Sequence, residues 1–212
     1  MKNVILFLLI MLTWIPLESP SQTVGDIQLP PPVTKGGKPL MEALMNRRSS
    51  REFSQQHITN QTLSDLLWAA DGFNRPDLKK RTAPNSMNIQ EIDIYVAMDN
   101  GLFLWDPMKN ILVRILEEDI REATGKQDFV KTAPVNLIYV ADFSRVKGGK
   151  TEGQVNASYA NTGFIAQNVY LYCASAGLNV VIRGYFDENT LGTRMKLKKD
   201  MQVILCQTVG YP

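Results

Sequence analysis

Histidine is nearly absent from this chain: His57 is the only one in 212 residues. Only two cysteines occur, Cys173 and Cys206, and they form no C-x-x-C pair. Together these shortages exclude the usual zinc-ligand spacings. They also leave a Ser-His-Asp or Cys-His mechanism with His57 as its one possible base. That residue sits in the polar turn Ser54-Gln55-Gln56-His57, beside no candidate nucleophile, and reads as a surface residue. The chain has no G-x-G-x-x-G fingerprint and no glycine-rich phosphate loop. It lacks a charge of one sign: 23 Lys and Arg against 21 Asp and Glu leave +2, too little to suggest a nucleic-acid partner. Its apolar run over residues 4–14 is too short for an ordinary membrane span.

That short run reads instead as part of an export signal. Lys2 gives a positive start, and Ser19 and Ser21 put small residues at minus three and minus one if cleavage precedes Gln22. No cysteine follows the run to carry a lipid anchor, and no twin-arginine pair precedes it. Residues 1–21 are therefore expected to be a signal peptide, and the mature protein to be exported, into a bacterial periplasm. Residues 22–38 hold Pro30-Pro31-Pro32 and Gly36-Gly37 and read as a flexible linker or arm. Residues 39–212 suit one compact domain. Cys173 falls in an apolar helical stretch and Cys206 in an apolar strand, so both read as buried free thiols.

Within the domain the pattern mixes strands and helices. The spacing predicts an amphipathic helix over 41–51 and a helix capped near Thr62 that ends at Gly72. A strand follows over 92–97, with Ile92, Ile94 and Val96 on one face. A turn at Asp99-Asn100-Gly101 leads into a hairpin-like pair, 102–105 and 111–113. A helix over 117–124 is expected, then a central strand over the apolar run 135–141 and a polar loop over 144–153. Residues 159–176 form a long helical pattern without a charged residue, which must be buried in a core or a subunit interface. A strand over 178–182, a short helix capped by Asp187 and a last strand over 202–209 complete an α+β domain.

The chemistry concentrates first in Met-Glu-Ala-Leu-Met-Asn-Arg47-Arg48-Ser49-Ser50-Arg51. Three guanidinium forks and two small hydroxyls stand within five residues. Guanidinium matches phosphate oxygens two at a time. A local cluster in a chain of small net charge suits a small anionic ligand better than a long polyanion.

Four segments in order resemble the nitroreductase family of FMN-dependent oxidoreductases. The family's R-x-S-x-[RK]-x-[FY] is similar to Arg47-Arg48-Ser49-Ser50-Arg51-Glu52-Phe53. Its P-S-x-x-N-x-Q is similar to Pro84-Asn85-Ser86-Met87-Asn88-Ile89-Gln90. The third segment runs from Gly163-Phe164-Ile165-Ala166-Gln167-Asn168 to Ile182-Arg183-Gly184, and the fourth is Val209-Gly210-Tyr211-Pro212. The resemblance implies a mixed sheet wrapped by helices, an intertwined homodimer and bound FMN. It implies that Arg47, Arg48, Ser49 and Arg51 hold the phosphate. The segment with Pro84, Asn85, Ser86 and Asn88 would come from the partner subunit, and main chain at Arg183-Gly184 would lie beside the flavin N5. Ser86, Asn88 and Gln127 offer polar groups for the flavin's pyrimidine edge.

Some positions depart from the family pattern. Arg183 replaces a glutamate or small residue, and a cation there would stabilise a reduced, anionic flavin. No basic residue follows the final Tyr211-Pro212 to add a phosphate ligand. The hairpin 101–107 and this short end resemble the SagB/ThcOx-type branch, which includes azoline dehydrogenases. That branch's catalytic Lys-Tyr pair has no counterpart between Gly153 and Tyr159. The expectation is therefore general, ping-pong flavin redox on a small electrophile such as a nitroarene or quinone, with the electron donor left open. The rival expectations are a flavin-binding protein without turnover, a SagB/ThcOx-type dehydrogenase and an exported scaffold.

Overall fold

The structure is a computed structural model and describes residues 25–212. The export-signal reading of residues 1–21 lies outside the described residues. The centre of the fold is a seven-stranded sheet built from β1 (Ile27–Gln28), β4 (Ile92–Met98), β5 (Gly101–Asp106), β6 (Ile111–Leu116), β7 (Val135–Asp142), β8 (Asn179–Arg183) and β9 (Met201–Gly210). Their order is β1-β6-β5-β4-β7-β9-β8. A small ribbon, β2 (Phe73–Arg75) with β3 (Lys80–Arg81), stands apart. The helices are α1 (Leu40–Asn46), α2 (Asn60–Asp71), α3 (Glu152–Ala176) and α4 (Glu188–Arg194). Among the described residues no helix is long and apolar enough to cross a membrane.

The expected α+β class stands, and the sheet has a specific form. Every pair of hydrogen-bonded neighbours in it runs antiparallel. β7 and β8 both run antiparallel to β9, so they are parallel to each other with β9 inserted between them. The unit β7-α3-β8 is thus a split crossover, and among the described residues the sheet is antiparallel throughout, without the parallel pairs of a mixed sheet.

Both faces of the sheet are covered, which explains the apolar run 137–141 of β7; the run does not extend through Asn136, which is buried and hydrogen-bonded. One face packs Ile94, Val96, Leu137, Tyr139 and Ile204 against Leu63, Leu66 and Leu67 of α2 and Ile165, Val169 and Cys173 of α3. The other packs Tyr95, Ile138, Val140 and Cys206 against Ile120 and against Leu191 and Met195 at α4. Cys173 and Cys206 are buried free thiols, as their apolar settings predict. His57 is an exposed residue 3.7 Å from Asp99. Gly101 turns the β4-β5 hairpin at φ +139°, where a Cβ would meet the Leu116 carbonyl at 2.3 Å.

Several boundaries differ from expectation for local reasons. α1 stops at Asn46, because the arginine segment leaves the helix to run beside β8, with the Ser50 amide donating to the Val180 carbonyl at 3.0 Å. The α2 cap is Thr59, whose hydroxyl accepts from the Thr62 amide. The expected helix over 117–124 shrinks to a 3₁₀ turn, Arg121–Thr124. There Asp119 accepts from the Arg121 amide and guanidinium, a local bond that competes with helix formation. α3 begins at Glu152 with Thr151 as its cap, taking in part of the predicted loop. The described part of residues 22–38 is a docked arm, not a flexible linker. β1 pairs with β6, Leu29 is 2 % exposed in the core, and Asp65 accepts from the Val33 amide.

Candidate functional site

The arginine segment lies along the free edge of β8. Ser50 bonds Val180, and the Ser54 amide donates to the Tyr211 carbonyl at 3.0 Å. The Asn179 amide group donates to the Glu52 carbonyl at 2.7 Å. α3 supplies Tyr170, a residue the sequence did not single out. Its hydroxyl lies 2.7 Å from Ser49 Oγ and accepts the Ile182 amide at 3.0 Å, while the Arg47 guanidinium stands 5.4 Å from its ring centre. One buried phenol therefore fixes both the arginine segment and the strand leading to Arg183. The available signal was a tyrosine on the inward stripe of an apolar helix, where a hydroxyl needs a partner.

Arg47 and Arg48 line a cleft of about 380 Å³, together with Lys38, Tyr170, Asn179 and Pro212. Arg51 is exposed beside it. Among the described residues none of the three arginines forms an ion pair. Arg81, Arg121, Arg145 and Arg194 each do. The cluster is thus an uncompensated concentration of positive charge, and it fits an anion such as a phosphate.

Gln127 and Arg183 join this side of the site. Phe53 packs on Phe129 with ring centres 5.4 Å apart, and the Arg183 guanidinium lies 5.9 Å from Phe129. Arg183 is 5 % exposed and points into the core. Its Nε donates to Thr208 Oγ1, Nη1 to the Thr124 carbonyl at 2.6 Å, and Nη2 to Asn136 Oδ1 at 2.9 Å. Burial pushes its pKa down from the ordinary value. What Arg183 offers a ligand at Gly184 is accordingly main chain and a nearby charge, not a side-chain contact. Gly125 makes room for it, since a Cβ there would stand 2.1 Å from Arg183 Nη1. Gln127 Oε1 is buried without a hydrogen-bond partner among the described residues. A buried amide oxygen in that state fits a ligand that brings its own donor.

The second segment lies elsewhere. Pro84, Ser86 and Asn88 are exposed, and Asn85 is half-buried. Asn85, Met87 and Asn88 line a separate, open depression of about 650 Å³ with Arg75, Lys80 and Arg81. The Ser86 amide donates to Asn161 Oδ1 on α3 at 3.2 Å. Asn161 and Tyr170 mark the two segments' places on that helix, about 13 Å apart at roughly 1.5 Å per residue. One chain therefore brings Arg47, Arg48, Ser49, Arg51, Gln127, Arg183 and Gly184 to one region and holds Pro84, Asn85, Ser86 and Asn88 at another.

The chain is similar to known proteins in both sequence and fold. The Nitroreductase family model matches residues 44–211. A Methanocaldococcus jannaschii protein designated a nitroreductase is 31% identical over 170 residues, covering 76% of this chain and 85% of its own. A Ralstonia eutropha crystal structure with the same designation superposes with TM-score 0.83 at 43% identity, over 88% of this chain and 89% of that one. The NADPH:FMN oxidoreductase of Vibrio harveyi, solved with NAD+, shares the fold at TM-score 0.62 and 20% identity, over 82% of this chain and 68% of that one.

Proposed function

This chain belongs to the nitroreductase family, and from that premise we propose that it is an FMN-dependent oxidoreductase acting on a small electrophile, a nitroarene or a quinone. The observation that carries the reading is the unpaired cluster Arg47, Arg48 and Arg51, within the family-matched region and beside the cleft. Arg47, Arg48, Ser49 and Arg51 would hold the phosphate. Gln127, with Ser86 and Asn88, would meet the pyrimidine edge, and the Gly184 main chain would face the reacting ring atoms. Bound FMN would supply two-electron redox chemistry, with donor and acceptor using one face in turn. The buried Arg183 would favour the reduced cofactor through its field. A homodimer is part of this proposal, because the two halves of the site are separated within one chain. Export is proposed on the leader alone; N-terminal sequencing of secreted material should begin near Gln22.

Titrating apoprotein with FMN, followed by flavin fluorescence, tests the reading. Arg47→Ala and Arg51→Ala each remove charge-assisted bonds worth roughly 1.5–3 kcal/mol, so the Kd should rise about tenfold to a hundredfold. Riboflavin, lacking the phosphate, should bind wild type more weakly than FMN does. Equal affinities throughout would defeat the assignment. Rapid reoxidation of photoreduced protein by a quinone or nitroarene separates an enzyme from a flavin carrier. Conversion of an azoline would favour the SagB/ThcOx-type alternative.

A further inference from the structure

Glu91 stands immediately before β4 and is 3 % exposed. Among the described residues it has no ion-pair partner. Neutral donors surround its carboxylate instead. Oε2 accepts from Asn85 Nδ2 at 2.9 Å, and Oε1 from Asn161 Nδ2 at 2.8 Å and Ser158 Oγ at 3.0 Å. Burial raises its pKa; the bonds from Asn85, Asn161, its own backbone and Ser158 outweigh this and hold it below the ordinary value.

Both amides pass the constraint on to the loop ahead. Asn85 Oδ1 accepts the Gln90 amide at 2.8 Å, and Asn161 Oδ1 accepts the Ser86 amide at 3.2 Å. Between these ties Met87, Asn88 and Gln90 have φ of 51°, 56° and 57°. Three non-glycine residues in the left-handed region within one short loop form a strained conformation. Such a conformation persists only where its surroundings over-determine it. Met87, 81% exposed, and the exposed Asn88 supply little of this, while Gln90 holds the loop's far end by donating to the Lys79 carbonyl and Asn88 Oδ1 and accepting from Arg81 Nε. The Arg145 guanidinium adds a bond to the Gln90 carbonyl, and the near end of the loop, residues 85 and 86, is held from below, through the carboxylate.

We propose that Glu91 is a positioning residue: its buried carboxylate, acting through Asn85 and Asn161, locks residues 85–90 in the conformation that presents Asn88 to the cofactor site. The cofactor half of this statement rests on the function proposed above. Nothing in the arrangement requires Glu91 to touch a ligand.

Exchanging donor and acceptor tests it. Glu91→Gln keeps the size of the side chain and the acceptor toward α3, but sets an amide donor against Asn85 Nδ2. Asn85→Asp keeps the acceptor for Gln90 and sets one carboxylate against another. The double variant N85D/E91Q restores one donor, one acceptor and the original charge. Each single variant should raise the FMN Kd about tenfold and speed amide exchange over residues 86–90 in apoprotein, with β7 and β9 unchanged. The double variant should return both readouts close to wild type, which general loosening of the fold would not do. Asn161→Ala supplies a further test without altering the carboxylate, and should speed exchange in the same loop. Wild type that bound no FMN would sink the cofactor reading, while exchange in apoprotein would still decide whether Glu91 holds the loop. Single variants with wild-type loop exchange, or a double variant no better than either, would overturn the proposal.

Discussion

Two residues show how buried polar groups tie this site to the fold. Tyr170 makes its contacts with Ser49 and Ile182 through one oxygen, so Tyr170→Phe keeps the ring beneath Arg47 and removes only those bonds. At about 1 kcal/mol per bond, the loss should be on the order of 2 kcal/mol, read by urea unfolding. FMN affinity should fall with it, since Ser49 loses its anchor. Asp71 carries the opposite kind of signature. It pairs with Arg81 at 2.7 Å, yet burial pushes its pKa up to about 7 against that attraction. Raised above the unfolded value, this carboxyl makes the native state bind the extra proton. Its contribution is fully present below about pH 4 and is lost as pH rises toward 7. The stability of wild type relative to Asp71→Asn should therefore decline across pH 5–7, by up to about 1.4 kcal/mol per unit. Urea titrations of both proteins at pH 5, 6, 7 and 8 check this; a constant difference would contradict it. Arg47, Arg48 and Arg51 were legible in sequence because their charge is dense and local. Tyr170 and Glu91 were not, because each matters through partners far along the chain.

Among the elements, the arm shows the same limit. Its prolines and glycines read as a flexible linker or arm, and composition alone did not decide between the two. What docks it is Leu29 in the core, with Ser64 donating to the Pro30 carbonyl and Ser175 accepting from the Lys38 amide. Those partners come from α2 and α3, and no local pattern announces them. Leu29→Ala should cost roughly 2–5 kcal/mol in unfolding free energy. It should also expose the arm to limited proteolysis at concentrations that spare wild type. Strands such as β4 and β7 were legible, since period two or an apolar run such as 137–141 reports burial on one face or both. α3 was legible only from its apolar part. Its first turns carry Glu152, Gly153 and Gln154, so its start depended on the Thr151 cap, which the polar stretch before it concealed. The helix expected over 117–124 failed for the converse reason: Asp119 had a closer partner than the helix could offer.

For the whole molecule, the face of α3 turned away from the sheet is the decisive feature. Tyr159 is 43% exposed and Phe164 46%, and Ala160 and Gly163 between them are exposed as well. α1 adds Met41 at 72% and Met45 at 84%. In the proposed homodimer, this exposed apolar surface on α1 and α3 is the expected association surface. A second copy related by a two-fold axis would bury the same patch on both chains, and could bring one chain's Asn88 to the other's Arg47. Complementation decides whether this happens. Mixed dimers of an Arg47→Ala chain and an Asn88→Ala chain should contain one intact site and one doubly damaged site. At FMN concentrations between the two affinities, purified mixed dimers should bind about one flavin with wild-type affinity, and either parent dimer very little. Phe164→Glu should shift the protein toward monomer in sedimentation and weaken FMN binding without lowering the unfolding midpoint of the isolated chain, because its side chain leaves the core untouched. Were the site complete within one chain, the mixed dimers would instead show two weakened sites of unequal affinity. Phe164→Glu monomers would then keep their flavin, and the separation of the two segments along α3 would have another cause.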